Sequence, residues 1–320
     1  MAVLEVRDLS THYTTLRGDV RAAENISFNV EEGEAMGLVG ESGCGKTTVA
    51  LSLLKILPSG GKIVGGKILF DGTDLVPLSD KEMMKFRWKR ISIVFQGAMN
   101  ALNPVFKVGD QITEAINLHE PNVPKQEARR RTESLLELVG IEAGRADNYP
   151  HEFSGGMRQR ALIAMALAVQ PDLIVADEPG TALDVIVQAQ ILKLLRDLKD
   201  KLGLAMILIT HDLSIAAETC EKLAIMYAGK MVEYGDISTV FKQPLHPYTQ
   251  GLLGAFPTIK EGRKKLISIP GQPPDLLDPP LACRFHPRCP FVMKVCSEVE
   301  PPLINKGPGQ HYVACHLHPS

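Results

Sequence analysis

The 320 residues hold no apolar run of the length a membrane helix demands and no excess of charge of either sign. A spanning helix needs about 20 apolar residues in succession. The longest such run, "ALIAMALAV" at 161–169, is roughly half that. A formal net charge of -2 argues against a partner gripped mainly through phosphates, so no nucleic-acid partner is expected. The basic cluster "KFRWKR" at 85–90 reads as a solvated helix face. The opening "MAVLEVRDLS" carries Glu5, Arg7 and Asp8 and lacks the apolar stretch of a secretory signal. The chain is therefore expected to be soluble and cytoplasmic, where thiols stay reduced and disulfides are not expected. Four of the six cysteines nevertheless crowd the C-terminal part, as Cys283, Cys289, Cys296 and Cys315. The length suggests one large domain with an appendage, and 45% hydrophobic residues suffice for a full core.

What is present begins with "GESGCGKTT", which fits G-x-x-x-x-G-K-[ST] on Gly40, Gly45, Lys46 and Thr47. The flanks suit it: "EAMGLV" at 34–39 reads as a short buried strand and "TTVALSLLKIL" as a helix. Strand, glycine loop and helix N-terminus make an anion site, because free N–H groups face a backbone that can wrap closely. Gly40, Ser42, Gly43, Cys44 and Gly45 are expected to cradle phosphates, with Lys46 reaching the β- and γ-phosphates. Thr47 is expected to bind Mg²⁺, with Thr48 as a less certain helper. Cys44 reads as a small residue that exposes its backbone N–H rather than as a redox switch.

A second centre lies in "PDLIVADEPGTALD" at 171–184. "LIVAD" is apolar on both faces, the pattern of a buried parallel strand. It ends in Asp177 and Glu178, where open α/β sheets bind ligands. Asp177 is expected to hold Mg²⁺ or its water, and Glu178 to polarise a water attacking the γ-phosphate. An amphipathic helix with Ile191, Leu192, Leu194, Leu195, Leu198 and Leu202 leads to the strand "LAMILIT" at 204–210. That strand delivers His211, read as a phosphate or water contact. In "HEFSGGMRQR", Ser154 can cap a helix and Gly155 and Gly156 allow close backbone approach. This is a second anion-binding helix start, which one nucleotide cannot easily use from the same chain.

The order of Gly40–Thr47, Gln96 in "IVFQG", "FSGGMRQR", "LIVADEP", "ALD" at 182–184 and His211 resembles the ATP-binding cassette of ABC transporters over roughly residues 3–235. The resemblance implies that the "FSGGM" segment of one subunit closes over ATP held by another. It implies adenine stacking by Tyr13 and sensing of Mg²⁺ and γ-phosphate by Gln96. It also implies contact of Ser154 and Gly156 with the partner's ATP, and an interface position for Asp184. Two positions depart from the family pattern. Met157 stands where an amide is commoner, and Gly180 where Ser or Thr is frequent, which touches the flexibility of the loop before Asp184.

"GAMNALNPVFKVGDQI" after Gln96, "LHPYTQGLLGAFP" at 245–257 and "CRFHPRCPFVMKVCSEVEPPL" from Cys283 extend the likeness along the chain. They resemble the ATP-binding subunits of oligopeptide/dipeptide-type ABC importers. This implies an α/β P-loop NTPase cassette with a mixed central sheet, an antiparallel β subdomain, an α-helical subdomain and a C-terminal cysteine-containing extension. The expected boundaries are a cassette at 1–235, with its helical, permease-contacting part at about 97–155, and an extension at 236–320. Short strands "LEVRDL", "ISFNV" and "KILF" are expected in the antiparallel part, and "PGQPPDLLDPP" at 270–280 reads as a stiff linker.

The implied role is an ATPase driving import of di- or oligopeptides from the cytoplasmic face of the membrane. The implied partners are a second cassette, by resemblance a sister chain forming a heterodimer, two membrane permease subunits and, indirectly, an extracytoplasmic solute-binding protein. Import of sugars, nickel or another small solute remains open. A soluble repair or chromosome-maintenance ABC ATPase would place a long coiled coil between Lys46 and Ser154, and no heptad run is there. A translation-associated relative would carry two cassettes in one chain. A non-catalytic regulatory cassette would not be expected to keep Glu178 and His211.

The four C-terminal cysteines, spaced C-x₅-C-x₆-C-x₁₈-C, suit a tetrahedral S₄ site for zinc or an iron–sulfur cluster. The wide gaps favour a cluster weakly, and the resemblance implies [4Fe–4S]; Zn²⁺ and no metal stay open. His286, His316 and His318 read as surface or packing residues. With little apolar sequence after Pro270, a metal is expected to fix the tail.

Overall fold

The structure is a computed structural model and describes residues 2–97, 101–254, 269–307 and 310–319. Parts of two segments singled out above, 98–100 and 255–257, lie outside the described residues. Two compact units emerge, one of 78–208 and one of 2–77 with 209–320.

The chain opens with β1 (Ala2–Thr15) and β2 (Gly18–Glu31), antiparallel, then β3 (Ala35–Val39) and α1 (Lys46–Leu53). β4 (Gly61–Phe70) and β5 (Thr73–Asp74) complete a four-stranded antiparallel sheet in the order β2-β1-β4-β5. β1 and β2 run longer than the short strands expected from sequence. Leu4 and Val6 are buried, then Leu9 and Thr11, so the alternation slips by one residue. The register shifts there, Asp8 adopts a positive φ of 50°, and its N–H is satisfied by Ser27 Oγ at 2.8 Å. A bulge of this kind lets one strand continue with its faces exchanged. α1 stops earlier than expected, at Leu53, before Lys55 at φ 50°.

The next unit holds α2 (Asp80–Met83), β6 (Ile91–Val94), α3 (Val108–His119) and α4 (Lys125–Leu138). α5 (Gly155–Ala166), β7 (Leu173–Asp177), α6 (Val185–Leu202) and β8 (Ala205–Thr210) follow. β6 and β7 pair in parallel, and the unit boundary runs through β8. Residues 85–90 are not the helix face expected. They turn, with Trp88 at φ 65° and its indole N–H donated to the Met165 carbonyl at 2.8 Å. The run Arg129, Arg130, Arg131 on α4 is fully engaged, with Asp147 and Glu133, with Glu127 and with Glu120 respectively. In α6, Ile191, Leu195 and Leu198 are buried as the spacing predicts, whereas Leu202 is 44% exposed.

The first unit resumes with α7 (Leu213–Thr219), β9 (Lys222–Tyr227), β10 (Lys230–Asp236), α8 (Ile237–Lys242) and α9 (Pro247–Gly254). α10 (Val295–Glu298), β11 (Ile304–Asn305) and β12 (His311–Val313) end it. Here β3 pairs in parallel with β9, β9 pairs antiparallel with β10, β10 with β12 and β12 with β11. All five residues of β3 and all six of β9 are buried, the pattern of strands covered on both faces. The expected mixed α/β architecture is borne out, with its antiparallel sheet and its helical stretch between β6 and β7.

The proline-rich 270–280 segment is docked rather than free. Arg21 N–H donates to the Leu276 carbonyl at 2.9 Å, and Leu276 packs on a core cluster that includes Tyr227, Tyr248 and Phe285.

Candidate nucleotide site

The 40–47 loop folds as its glycines require. A Cβ on Gly40 would lie 2.2 Å from the Met226 carbonyl oxygen, and one on Gly45 2.0 Å from that of Ala22. Gly43 and Gly45 hold φ of 79° and 103°, which side-chain-bearing residues rarely adopt. This is a cradle that side chains would fill, ending at the N-terminus of α1. The residues fit a bound phosphate chain. Lys46 is 5% exposed, and its ammonium donates to the Gly40 and Glu41 carbonyls at 2.7 and 3.0 Å. Ser42, Gly43 and Thr47 are exposed, and Thr48 is buried with its hydroxyl 3.4 Å from Tyr13 Oη. The Cys44 N–H donates to the Glu41 carbonyl at 3.2 Å, and its thiol is buried, which pushes its pKa up and suits an inert packing role rather than a redox switch.

In the other unit β7 ends in the buried Asp177, followed by Glu178 at a positive φ of 45°. One oxygen of the Glu178 carboxylate accepts hydrogen bonds from Gln96 Nε2 at 2.9 Å and from Thr181 Oγ1 at 2.8 Å. Gln96 and Glu178 are thus brought together as a pair, and Thr181 is a partner the sequence reading missed. Ser154 caps α5, accepting from Met157 N–H at 3.3 Å, and Asp184 caps α6, accepting from Val187 N–H at 2.9 Å. Gly155 and Gly156 form the first turn of α5, and a Cβ on Gly156 would lie 2.6 Å from Val187 Cγ1. Phe153 is buried beside them. His211 follows β8 and is exposed.

The cysteine segment requires a correction. Neither [4Fe–4S] nor zinc is supported: among the described residues no group of three or more His, Cys, Asp or Glu is arranged to hold a metal ion. All six cysteines are free thiols. Those at the tail do neighbour one another. Burial, and then the proximity of Cys296, Cys315 and Cys289, pushes the Cys283 thiol up to about 11. Burial also raises Cys289 and Cys315.

The tail also has another source of order. Phe285 enters the core with its ring 5.1 Å from Tyr227 and 5.4 Å from Tyr248. β12 extends the sheet through β10, and the Cys283 N–H donates to the Cys296 carbonyl at 3.1 Å. The tail shares the core of β9 and β10. His286, His316 and His318 bond backbone carbonyls of Cys283, Val299 and Leu245, as packing residues do.

Sequence reading also missed a cluster on Glu41. Its carboxylate takes both arms of Arg288, at 2.7 and 3.1 Å, and its N–H donates to Tyr248 Oη at 3.0 Å. Nothing local marks Arg288 or Tyr248.

Comparison with known proteins adds the following. Residues 23–181 match the family model described as ABC transporter, and 232–296 match that of the oligopeptide/dipeptide transporter, C-terminal region. A probable peptide ABC transporter ATP-binding protein of Sinorhizobium fredii is 48% identical over 98% of this chain and 94% of its own length. The oligopeptide transport ATP-binding protein OppD of Bacillus subtilis is 48% identical over 99% and 89%. OppD of Escherichia coli is 46% identical over 97% and 91%. Neither family description nor any of these names mentions an iron–sulfur cluster. Among solved structures, the dimeric bacterial ABC transporter cassette MJ0796 superposes with a TM-score of 0.66 at 27% identity, over 73% of this chain and 98% of that one. Its post-hydrolysis state bound to ADP and Pi gives 0.65 at 28%, with the same coverage.

Proposed function

The chain belongs to the ABC transporter ATP-binding family, whose ATPase activity it carries, and we propose that it powers import of di- and oligopeptides through separate membrane permease subunits. The observation that carries the peptide assignment is a likeness running past the cassette into 232–296, shared with relatives named for oligopeptide and dipeptide transport.

In this reading Tyr13 stacks on adenine while Gly40, Ser42, Gly43, Cys44, Gly45, Lys46, Thr47 and Thr48 hold the phosphates. The glycine cradle supports that role. Lys46 exchanges the Gly40 and Glu41 carbonyls for phosphate oxygens. Thr47, Gln96 and Asp177 would hold Mg²⁺, which neutralises phosphate charge when bound. Glu178 takes a proton from the attacking water, steadied by Gln96 and Thr181, and His211 contacts that water or the γ-phosphate. Ser154, Gly155, Gly156 and Asp184 face the nucleotide of a second cassette. Ser154 caps only one N–H of α5, leaving other first-turn donors for that purpose.

The working assembly is a cassette pair on membrane permeases. We place it at the cytoplasmic face with a sister cassette, two permease subunits and an extracytoplasmic solute-binding protein. The boundaries are a cassette at 1–235, with permease contact through about 97–155, and an extension at 236–320.

Proteoliposomes containing this chain, its co-purifying permease and the cognate solute-binding protein test the assignment. Uptake of di- or oligopeptides that stops without ATP is expected. Uptake of a sugar or nickel with no response to peptides would overturn the peptide assignment and leave the ATPase standing.

A further inference from the structure

Arg288 lies in the cysteine-rich tail, 247 positions after Glu41 of the phosphate loop. Its side chain is only 7% exposed. All five guanidinium N–H groups have acceptors. Nε donates to the Pro270 carbonyl at 2.7 Å. One terminal nitrogen donates to Glu41 Oε2 at 2.7 Å and Tyr227 Oη at 3.3 Å, and the other to Glu41 Oε1 at 3.1 Å and the Gly271 carbonyl at 3.3 Å. A planar fork of this kind fixes direction as well as charge, which a lysine cannot reproduce.

Glu41 is bound from three sides. Arg288 holds its carboxylate, Tyr248 Oη accepts its N–H, and its carbonyl accepts from Lys46. Only the last of these is released when Lys46 turns to a phosphate. The loop then keeps its shape through the other two.

We propose that Arg288 is a positioning residue for ATP binding: through Glu41 it pre-organises the phosphate loop, so that the C-terminal extension sets nucleotide affinity. The inference rests on the reading of 40–47 as the nucleotide loop. A loop held in its binding shape loses less freedom when it binds. The extension is thereby coupled to the ATP site without contacting the nucleotide.

Titration of the full-length chain with Mg-ATP, joined to steady-state kinetics, tests this. Arg288→Ala is expected to raise the ATP Kd and KM roughly 5- to 30-fold, in the lower part of the usual range for coupling between sites, with kcat at saturating ATP within about twofold. Arg288→Lys should fall between it and the native chain. Glu41→Gln should weaken binding in the same sense, and Arg288→Ala added to Glu41→Gln should cost less than the product of the two single losses. A merely structural role would lower kcat with the folded fraction and leave KM alone. Unchanged Kd in folded Arg288→Ala, or losses that multiply in full, would overturn the proposal. If Arg288→Ala does not fold, Arg288→Lys and Glu41→Gln decide by the same criteria. Lys46→Ala is the separate control: native ATP affinity there would refute the reading of the loop itself.

Discussion

Glu178 holds a left-handed backbone conformation directly after the buried end of β7, and one oxygen of its carboxylate is held by two donors. Such a φ costs a side-chain-bearing residue on the order of 1–3 kcal/mol and persists where surroundings enforce it. At the same scale, the tail cysteines show why spacing alone misled. Four thiols in a reduced compartment suggested metal, yet residue types and gaps do not fix how the side chains are arranged in the fold, and no group of the described residues is arranged to hold a metal ion. Burial sets the protonation of these thiols. With its thiol near 11, Cys283 is about one-thousandth thiolate at pH 8. Iodoacetamide labelling of the native chain, followed by mass spectrometry across pH, should therefore show Cys283 reacting slowly at pH 8, with a midpoint near 11. A midpoint near 8.5, that of a free cysteine, would contradict the burial described.

Elements with their own local grammar were legible in the sequence. The strand–glycine–helix succession at 35–53, the doubly apolar β7 and the Ser154 cap follow from short-range rules and stand as read; the Asp184 cap on α6 follows the same rule but was not read from the sequence. What failed depended on distant partners. The 85–90 segment turns because the Trp88 indole reaches the Met165 carbonyl, and β1 lengthens because β2 and β4 carry a bulge across it. The β10 latch on the tail was equally invisible. The fully buried Glu233 accepts from the Leu245 and His246 N–H groups and pairs with His311 of β12 at 2.8 Å.

Beside this latch, burial lowers the His246 imidazole to about 4, against the pull of Glu233, and His246 Nδ1 accepts from Tyr248 N–H. The unfolded chain binds this proton near 6.5. Between about 4 and 6.5 the unfolded state thus holds more protons, and stability falls as pH falls through that window. Urea unfolding at pH 7 and pH 5 should show a loss about 2 kcal/mol larger in the native chain than in His246→Gln. Equal losses in the two would contradict the buried neutral imidazole.

At the scale of the whole molecule, the described residues after 269 pack with β9, β10 and the 40–47 loop through Phe285, β12 and Arg288, within the unit that holds 2–77. The central claim concerns the other unit, where Glu178 is assigned the hydrolytic step of an ATP-driven importer. It is tested most directly by ATP turnover in Glu178→Gln, measured beside ATP binding in the same preparation. The expected result is ATP affinity close to native with turnover reduced roughly 10²- to 10⁴-fold, the scale of a lost general base. Hydrolysis at the native rate in that variant would contradict the assignment.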